Sequence, residues 1–203
     1  MINFQTLNSL VDILKKNQIR CGIGGSYLLQ IHELCNDPND VDFWVAPEDI
    51  RKVRNIFSHY EEIIEKIQLP SQYHFKMRYL DIYVDFVACF IVKPNKNEYV
   101  YNIMPENIEM VDMQDGSTLP CTSLEDWYIV YKLLRREEKA ELIKKYIYQK
   151  DASKANERLE LLIENKVNRL PKRITKDVKD LIWDNMQLKL DDYLKMDKDE
   201  NNE

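Results

Sequence analysis

Histidine and cysteine are scarce in this chain: three histidines (His32, His59, His74) and four cysteines (Cys21, Cys35, Cys89, Cys121) among 203 residues. The histidines show no HExxH spacing and no two cysteines form a CxxC pair, which excludes the common zinc patterns. Cys21 and Cys89 sit inside apolar runs, and all four cysteines read as buried free thiols rather than disulfide partners or ligands. Long apolar runs are missing too. No stretch approaches the about 18 residues that a membrane helix needs, and the opening MINFQTLNSLVDILKKN is amphipathic rather than a signal peptide, so a cytoplasmic protein with no membrane partner is expected. Positive charge is in deficit, with 29 Lys and Arg against 35 Asp and Glu and a formal net charge of -6. That balance excludes a uniformly basic surface for nucleic acid; a local basic groove stays open, but nucleic acid is not the favoured partner.

Glycine is equally sparse, and its distribution is uneven: of four, three are Gly22, Gly24 and Gly25. They make neither known phosphate fingerprint. Tyr27 stands where a dinucleotide motif needs its third glycine, and no lysine follows as a Walker loop requires. What stands instead is a short apolar strand, Ile19 to Ile23, then Gly24-Gly25-Ser26, then a helix-like SYLLQIHEL. Such a turn admits a ligand close to the backbone and offers N–H groups and the Ser26 hydroxyl to a phosphate; equally, it is an ordinary serine-capped helix start.

The remaining pattern describes an α/β chain. A helix is expected over 3–17 from Leu7, Leu10, Val11 and Leu14, and strands at VDFWV, YHFKMRY and IYVDFVACFIV. A helix is expected to start at Ala46-Pro47-Glu48-Asp49. The last two strands are joined around Leu80-Asp81 and closed by Pro94-Asn95, and a further hairpin turns at Asp115-Gly116. This order predicts a mixed sheet flanked by helices. From Ser123, which with Asp126 forms a capping-box-like opening, the chain reads as helical, and LEDWYIVYKLLRR carries an apolar stripe. The expected organisation is a catalytic core over 1–120, a helical region over 121–196 and a disordered tail over 197–203.

Three aspartates carry the chemistry. In a strand, Asp40 and Asp42 point to one face while Val41, Phe43 and Val45 point to the other. Two carboxylates side by side call for a divalent cation such as Mg²⁺ or Mn²⁺, unless they are a solvated loop end beside Asn36, Asp37 and Asn39. Asp85 interrupts an apolar strand, where an unpartnered carboxylate is costly. It ranks first as a third ligand, with Asp81 near the hairpin turn second.

Gly25-Ser26, thirteen residues, then Asp40-Val41-Asp42 and an apolar continuation resembles the signature of the DNA polymerase beta-like nucleotidyltransferase superfamily. LPCTSLEDWYIVYKLLRREEK, residues 119 to 139, is similar to the helix that follows the catalytic sheet in small bacterial members, including toxin-like and antibiotic-modifying branches. The resemblance covers roughly residues 5 to 140. It implies that Gly24, Gly25 and Ser26 hold nucleotide phosphates, that Asp40, Asp42 and Asp85 bind one or two Mg²⁺ ions and activate an acceptor, and that Lys132 assists the triphosphate. Arg136 and Lys139 match the later basic pair, but Ala140 departs from the aspartate those relatives commonly have. Lys76 and Arg78 are further cationic candidates, or simply solvated charges. Trp44, Tyr73, Tyr79 and Trp127 read as core or sheet packing before they read as a stacking surface.

The implied reaction is Mg²⁺-dependent transfer of a nucleoside monophosphate from an NTP such as ATP to a hydroxyl on a small molecule, a protein or RNA. The rival is a catalytically silent binding module of the same fold, for example the partner in a toxin-antitoxin pair. A metal-dependent phosphohydrolase is disfavoured by the lack of histidine near the Asp pair in sequence.

Overall fold

The computed structural model describes residues 2–64, 69–93, 96–150 and 152–200, with side chains as far as Gln187. The expected closure at Pro94-Asn95 lies outside the described residues.

The N-terminal half alternates as the periodicity predicts: α1 (Phe4–Lys16), β1 (Cys21–Gly24), α2 (Gly25–Ile31), β2 (Val41–Val45), α3 (Ile50–Ile56), β3 (Ser71–Tyr79) and β4 (Ile82–Val92). Asn3 caps α1 by accepting from the N–H groups of Gln5 and Thr6, and Leu7, Leu10, Val11 and Leu14 bury its apolar face. Residues 47–49 form a turn before α3 rather than its first turn, so that helix begins at Ile50. A strand not expected from the sequence, β5 (Tyr99–Tyr101), pairs with the far end of β4. Three residues are too few for a period of two to show. The hairpin of β6 (Glu109–Asp112) and β7 (Thr118–Cys121) turns at Asp115-Gly116, where the Asp115 carboxylate accepts from the Ser117 N–H at 3.0 Å.

Among the described residues these strands form one mixed sheet in the order β3-β4-β2-β1-β7-β6, with β5 beside β4. β2 runs parallel to β4 and antiparallel to β1, which in turn is parallel to β7. Phe43, Phe75 and Phe86 fill one side of the sheet, with Phe57 of the segment after α3 stacked on Phe86. Burial of large side chains such as these stabilises the core by about 1.5–3 kcal/mol each.

The C-terminal region is α4 (Leu124–Leu133), α5 (Glu137–Gln149), α6 (Ala152–Glu164) and α7 (Lys172–Glu200). The expected apolar stripe on α4 is corrected: all ten of its residues are buried, because α2, α5, α6 and α7 pack around it. Asp126 on it is fully partnered. Asp126 accepts from Ser123 Oγ at 2.6 Å, Tyr101 Oη at 2.7 Å and Asn107 Nδ2 at 3.1 Å, while its own N–H donates to Ser123 Oγ at 3.0 Å. The α7 helix runs through Glu200, past the expected start of the tail at 197, because DKDE contains no glycine or proline to stop it. Residues 201–203 lie outside the described residues. The four cysteines are free; Cys21 and Cys121 are buried as expected, whereas Cys35 and Cys89 are only half-buried. No helix among the described residues is long and apolar enough to cross a membrane.

Candidate active site

Strand register builds the site. Asp42 on β2 is paired with Asp85 on β4, and Asp85 with Lys76 on β3, so three side chains from three strands lie in one row across the sheet. On the other side of β2, Asp42 is paired with Gly24, the last residue of β1. Asp40, just before β2, reaches the same place: its Oδ2 accepts from Lys76 Nζ at 2.9 Å. The three aspartates line a cleft of about 600 Å³ with Ser26, Lys76, Leu133, Leu134, Arg135 and Arg136 among its other walls.

The glycines make this proximity sterically accessible. A Cβ on Gly24 would lie 2.2 Å from the Trp127 ring, so α4 packs against the sheet only because that atom is missing. Trp127 itself is held there by a 2.7 Å bond from Nε1 to Thr122 Oγ1. Gly25 has a φ of +60, and a Cβ there would lie 1.7 Å from Asp42 Oδ2. The glycine turn and the second aspartate are thus in direct contact, which their separation in sequence does not reveal.

The charges are distributed unevenly. Burial, then the charges of Asp40 and Asp85, push the Asp42 carboxyl up to about 7, against the pull of Arg136 and Lys139. Burial acts in the same direction on Asp85, but His74 Nε2, 2.5 Å from Oδ1, and Lys76 Nζ, 2.9 Å from Oδ2, outweigh it and hold that carboxyl below its ordinary value. Sequence alone does not make His74 a site residue, because it lies eleven residues from Asp85; antiparallel pairing of β3 with β4 brings the two together. A histidine thus stands at the acidic cluster, on Asp85, so the lack of one near the Asp pair in sequence does not disfavour a phosphohydrolase. Lys76 is likewise corrected from a solvated charge to one whose side chain is 11% exposed.

Other candidates sort by position. Lys139 Nζ donates to Ser26 Oγ at 2.5 Å, and Arg136 lines the cleft. Lys132 is not among the lining residues; its ammonium pairs with Glu137 at 2.6 Å and Asp177 at 2.9 Å, tying α4 to α5 and α7. The chain reverses after α4 through Arg135, whose φ is +57, and this turn exchanges Lys132 for Arg136 and Lys139 at the cleft. Asp81 belongs to the hairpin: it accepts from Thr6 Oγ1 at 2.6 Å and Asn3 Nδ2 at 2.7 Å, fastening the β3–β4 turn to the start of α1. Arg78 places its guanidinium 5.9 Å from the Tyr83 ring. Trp44, Tyr79 and Trp127 are buried, and Tyr73 is exposed.

Carboxylate oxygens are the donors that hard Mg²⁺ or Mn²⁺ prefers, and Asp40, Asp42 and Asp85 line one cleft. The donor chemistry fits a divalent cation. As they stand, however, no three acidic, histidine or cysteine side chains among the described residues are arranged to hold one. Lys76 bridges Asp40 and Asp85 instead.

No protein-family model matches the sequence, and no curated protein does. Solved structures do match. A Thermotoga maritima protein described as a nucleotidyltransferase aligns with 74% of this chain and 97% of its own, at 20% identity and a TM-score of 0.50. The solution structure of the antibiotic-resistance factor ANT(2'')-Ia aligns with 70% of this chain and 83% of its own, at 12% identity and a TM-score of 0.51. The chain has the nucleotidyltransferase fold, with its mixed sheet and helical C-terminal region.

Proposed function

We propose that the protein is a nucleotidyltransferase that moves a nucleoside monophosphate from an NTP to a hydroxyl-bearing acceptor. The observation that carries this reading is the contact of Gly25 with Asp42, in register with Asp85, inside one cleft. Asp40, Asp42 and Asp85 would hold Mg²⁺ or Mn²⁺, which when bound supplies a Lewis acid for the charge on the phosphates and on the acceptor oxygen. Ser26, Arg136 and Lys139 receive the phosphates, since they put a hydroxyl and two cations beside the acids. Asp85, kept ionised by His74 and Lys76, accepts the hydrogen bond of the acceptor hydroxyl. The hydroxyl oxygen bonds to the α-phosphorus, the bond from that phosphorus to the bridging oxygen breaks, and pyrophosphate leaves on Arg136 and Lys139. The acceptor proton passes to solvent.

The silent binding module is the second reading, favoured by one observation: Lys76 fills the space between Asp40 and Asp85. Incubation with each α-³²P-labelled NTP, Mg²⁺ or Mn²⁺ and a cell extract separates the two. Label transferred to a small molecule, protein or RNA, and lost in Asp42→Asn, supports the transferase and names its acceptor class. Absence of transfer from all four NTPs, with nucleotide still bound, supports the module.

A further inference from the structure

Lys76 lies in the middle of β3, opposite Asp85. Its ammonium is 2.9 Å from Asp40 Oδ2 and 2.9 Å from Asp85 Oδ2, and His74 occupies the other oxygen of Asp85. Both oxygens of Asp85 and one of Asp40 are therefore engaged by cationic or donor groups. An ammonium and a divalent cation seek the same carboxylate oxygens, and neither tolerates the other within contact distance. The Lys76 backbone is held by the pairing of β3 with β4, but its four-carbon stem lets the ammonium swing away without disturbing the sheet.

We propose that Lys76 is a resident counter-cation that competes with a divalent metal ion for Asp40 and Asp85, so that bare metal binds this site weakly and removal of the lysine charge strengthens the binding. The proposal rests on the reading of the three aspartates as metal ligands. It assigns Lys76 an autoinhibitory contact: in the resting protein it satisfies the acids, and metal enters when the ammonium moves off them. The adjoining cleft, which Lys76 itself lines together with Ser26 and Arg136, is where a polyanion would draw it.

The test is a titration of the full chain with Mn²⁺, followed by the electron paramagnetic resonance signal of the free ion. The proteins are wild type, Lys76→Met, Lys76→Gln, Lys76→Arg and Asp42→Asn, each checked for folding by circular dichroism. Two neutral replacements guard against one failing to fold. The expected result is weak binding by wild type and by Lys76→Arg, at least tenfold tighter binding by Lys76→Met and Lys76→Gln, and none by Asp42→Asn. Binding by the neutral variants equal to or weaker than wild type overturns the competition and leaves the metal site standing. If neither wild type nor the neutral variants take up Mn²⁺, the metal-site reading itself fails, and the competition with it.

Discussion

Replacing Gly25 with alanine tests whether the glycine turn and the aspartates form one site. Two costs add. Gly25 has φ +60, and placing a non-glycine residue in that left-handed conformation costs about 1–2 kcal/mol. The new Cβ would also sit 1.7 Å from Asp42 Oδ2, so the carboxylate must retreat by roughly as much again to reach the 3.4 Å of ordinary contact. Overpacking of that kind adds about 1–3 kcal/mol. Domains of ordinary stability hold about 5–15 kcal/mol, so the variant folds. What it loses is geometry: β2 is pinned by its pairing with β1 and β4, and the side chain of Asp42 alone can rotate away from Asp85. Gly116 supplies the control, because its φ is +84 and a Cβ there meets nothing within 4 Å, so Gly116→Ala isolates the backbone cost. Urea unfolding should show Gly25→Ala losing more than Gly116→Ala, and Mn²⁺ binding should fall about 100-fold or more in Gly25→Ala alone. Wild-type Mn²⁺ affinity in a folded Gly25→Ala protein would refute the argument, since the turn and Asp42 would then be independent.

Asp40→Asn and Asp42→Asn should each abolish Mg²⁺-dependent NTP binding with the circular dichroism spectrum unchanged; an unaltered nucleotide titration in both sinks the metal site. The Asp42 carboxyl, raised from 3.8 to about 7, holds its proton more tightly folded than unfolded, so metal-free stability should decline as pH rises between those values. Metal must displace that same proton, and Mn²⁺ affinity should accordingly increase about tenfold from pH 6 to pH 8; a flat profile would contradict the shift. Asp126→Ala strands the Tyr101 and Asn107 donors and should cost about 2–4 kcal/mol in urea unfolding, and an unmoved midpoint would show that this network contributes nothing. Asp81→Ala should lower the melting temperature slightly and leave label transfer intact, whereas loss of transfer would restore Asp81 as a candidate ligand.

Element boundaries were legible wherever side-chain period and turn chemistry agreed. VDFWV and IYVDFVACFIV are strands over the very residues that alternation and apolar content mark, and Ser123 caps α4 through the Asp126 N–H. The three aspartates were legible for a local reason as well: each breaks or borders an apolar run where a carboxylate needs a partner. The mixed direction of the sheet was expected from the order of helices and strands, but the pairing was not: β1 and β2, joined by α2, lie antiparallel, and the parallel pairs join strands distant in sequence.

The partners of those carboxylates were not legible, because strand register, rather than proximity along the chain, sets them. Only the antiparallel pairing of β3 with β4 puts Lys76 and His74 on Asp85, and only the α4–α5 reversal at Arg135 turns Lys139 toward Ser26 while Lys132 binds Asp177. Periodicity assigns a residue to a face and leaves open which face of another element it meets. The acids of this cleft were thus determined locally, one strand at a time. The cations that neutralise them were decided by how the strands and helices came together.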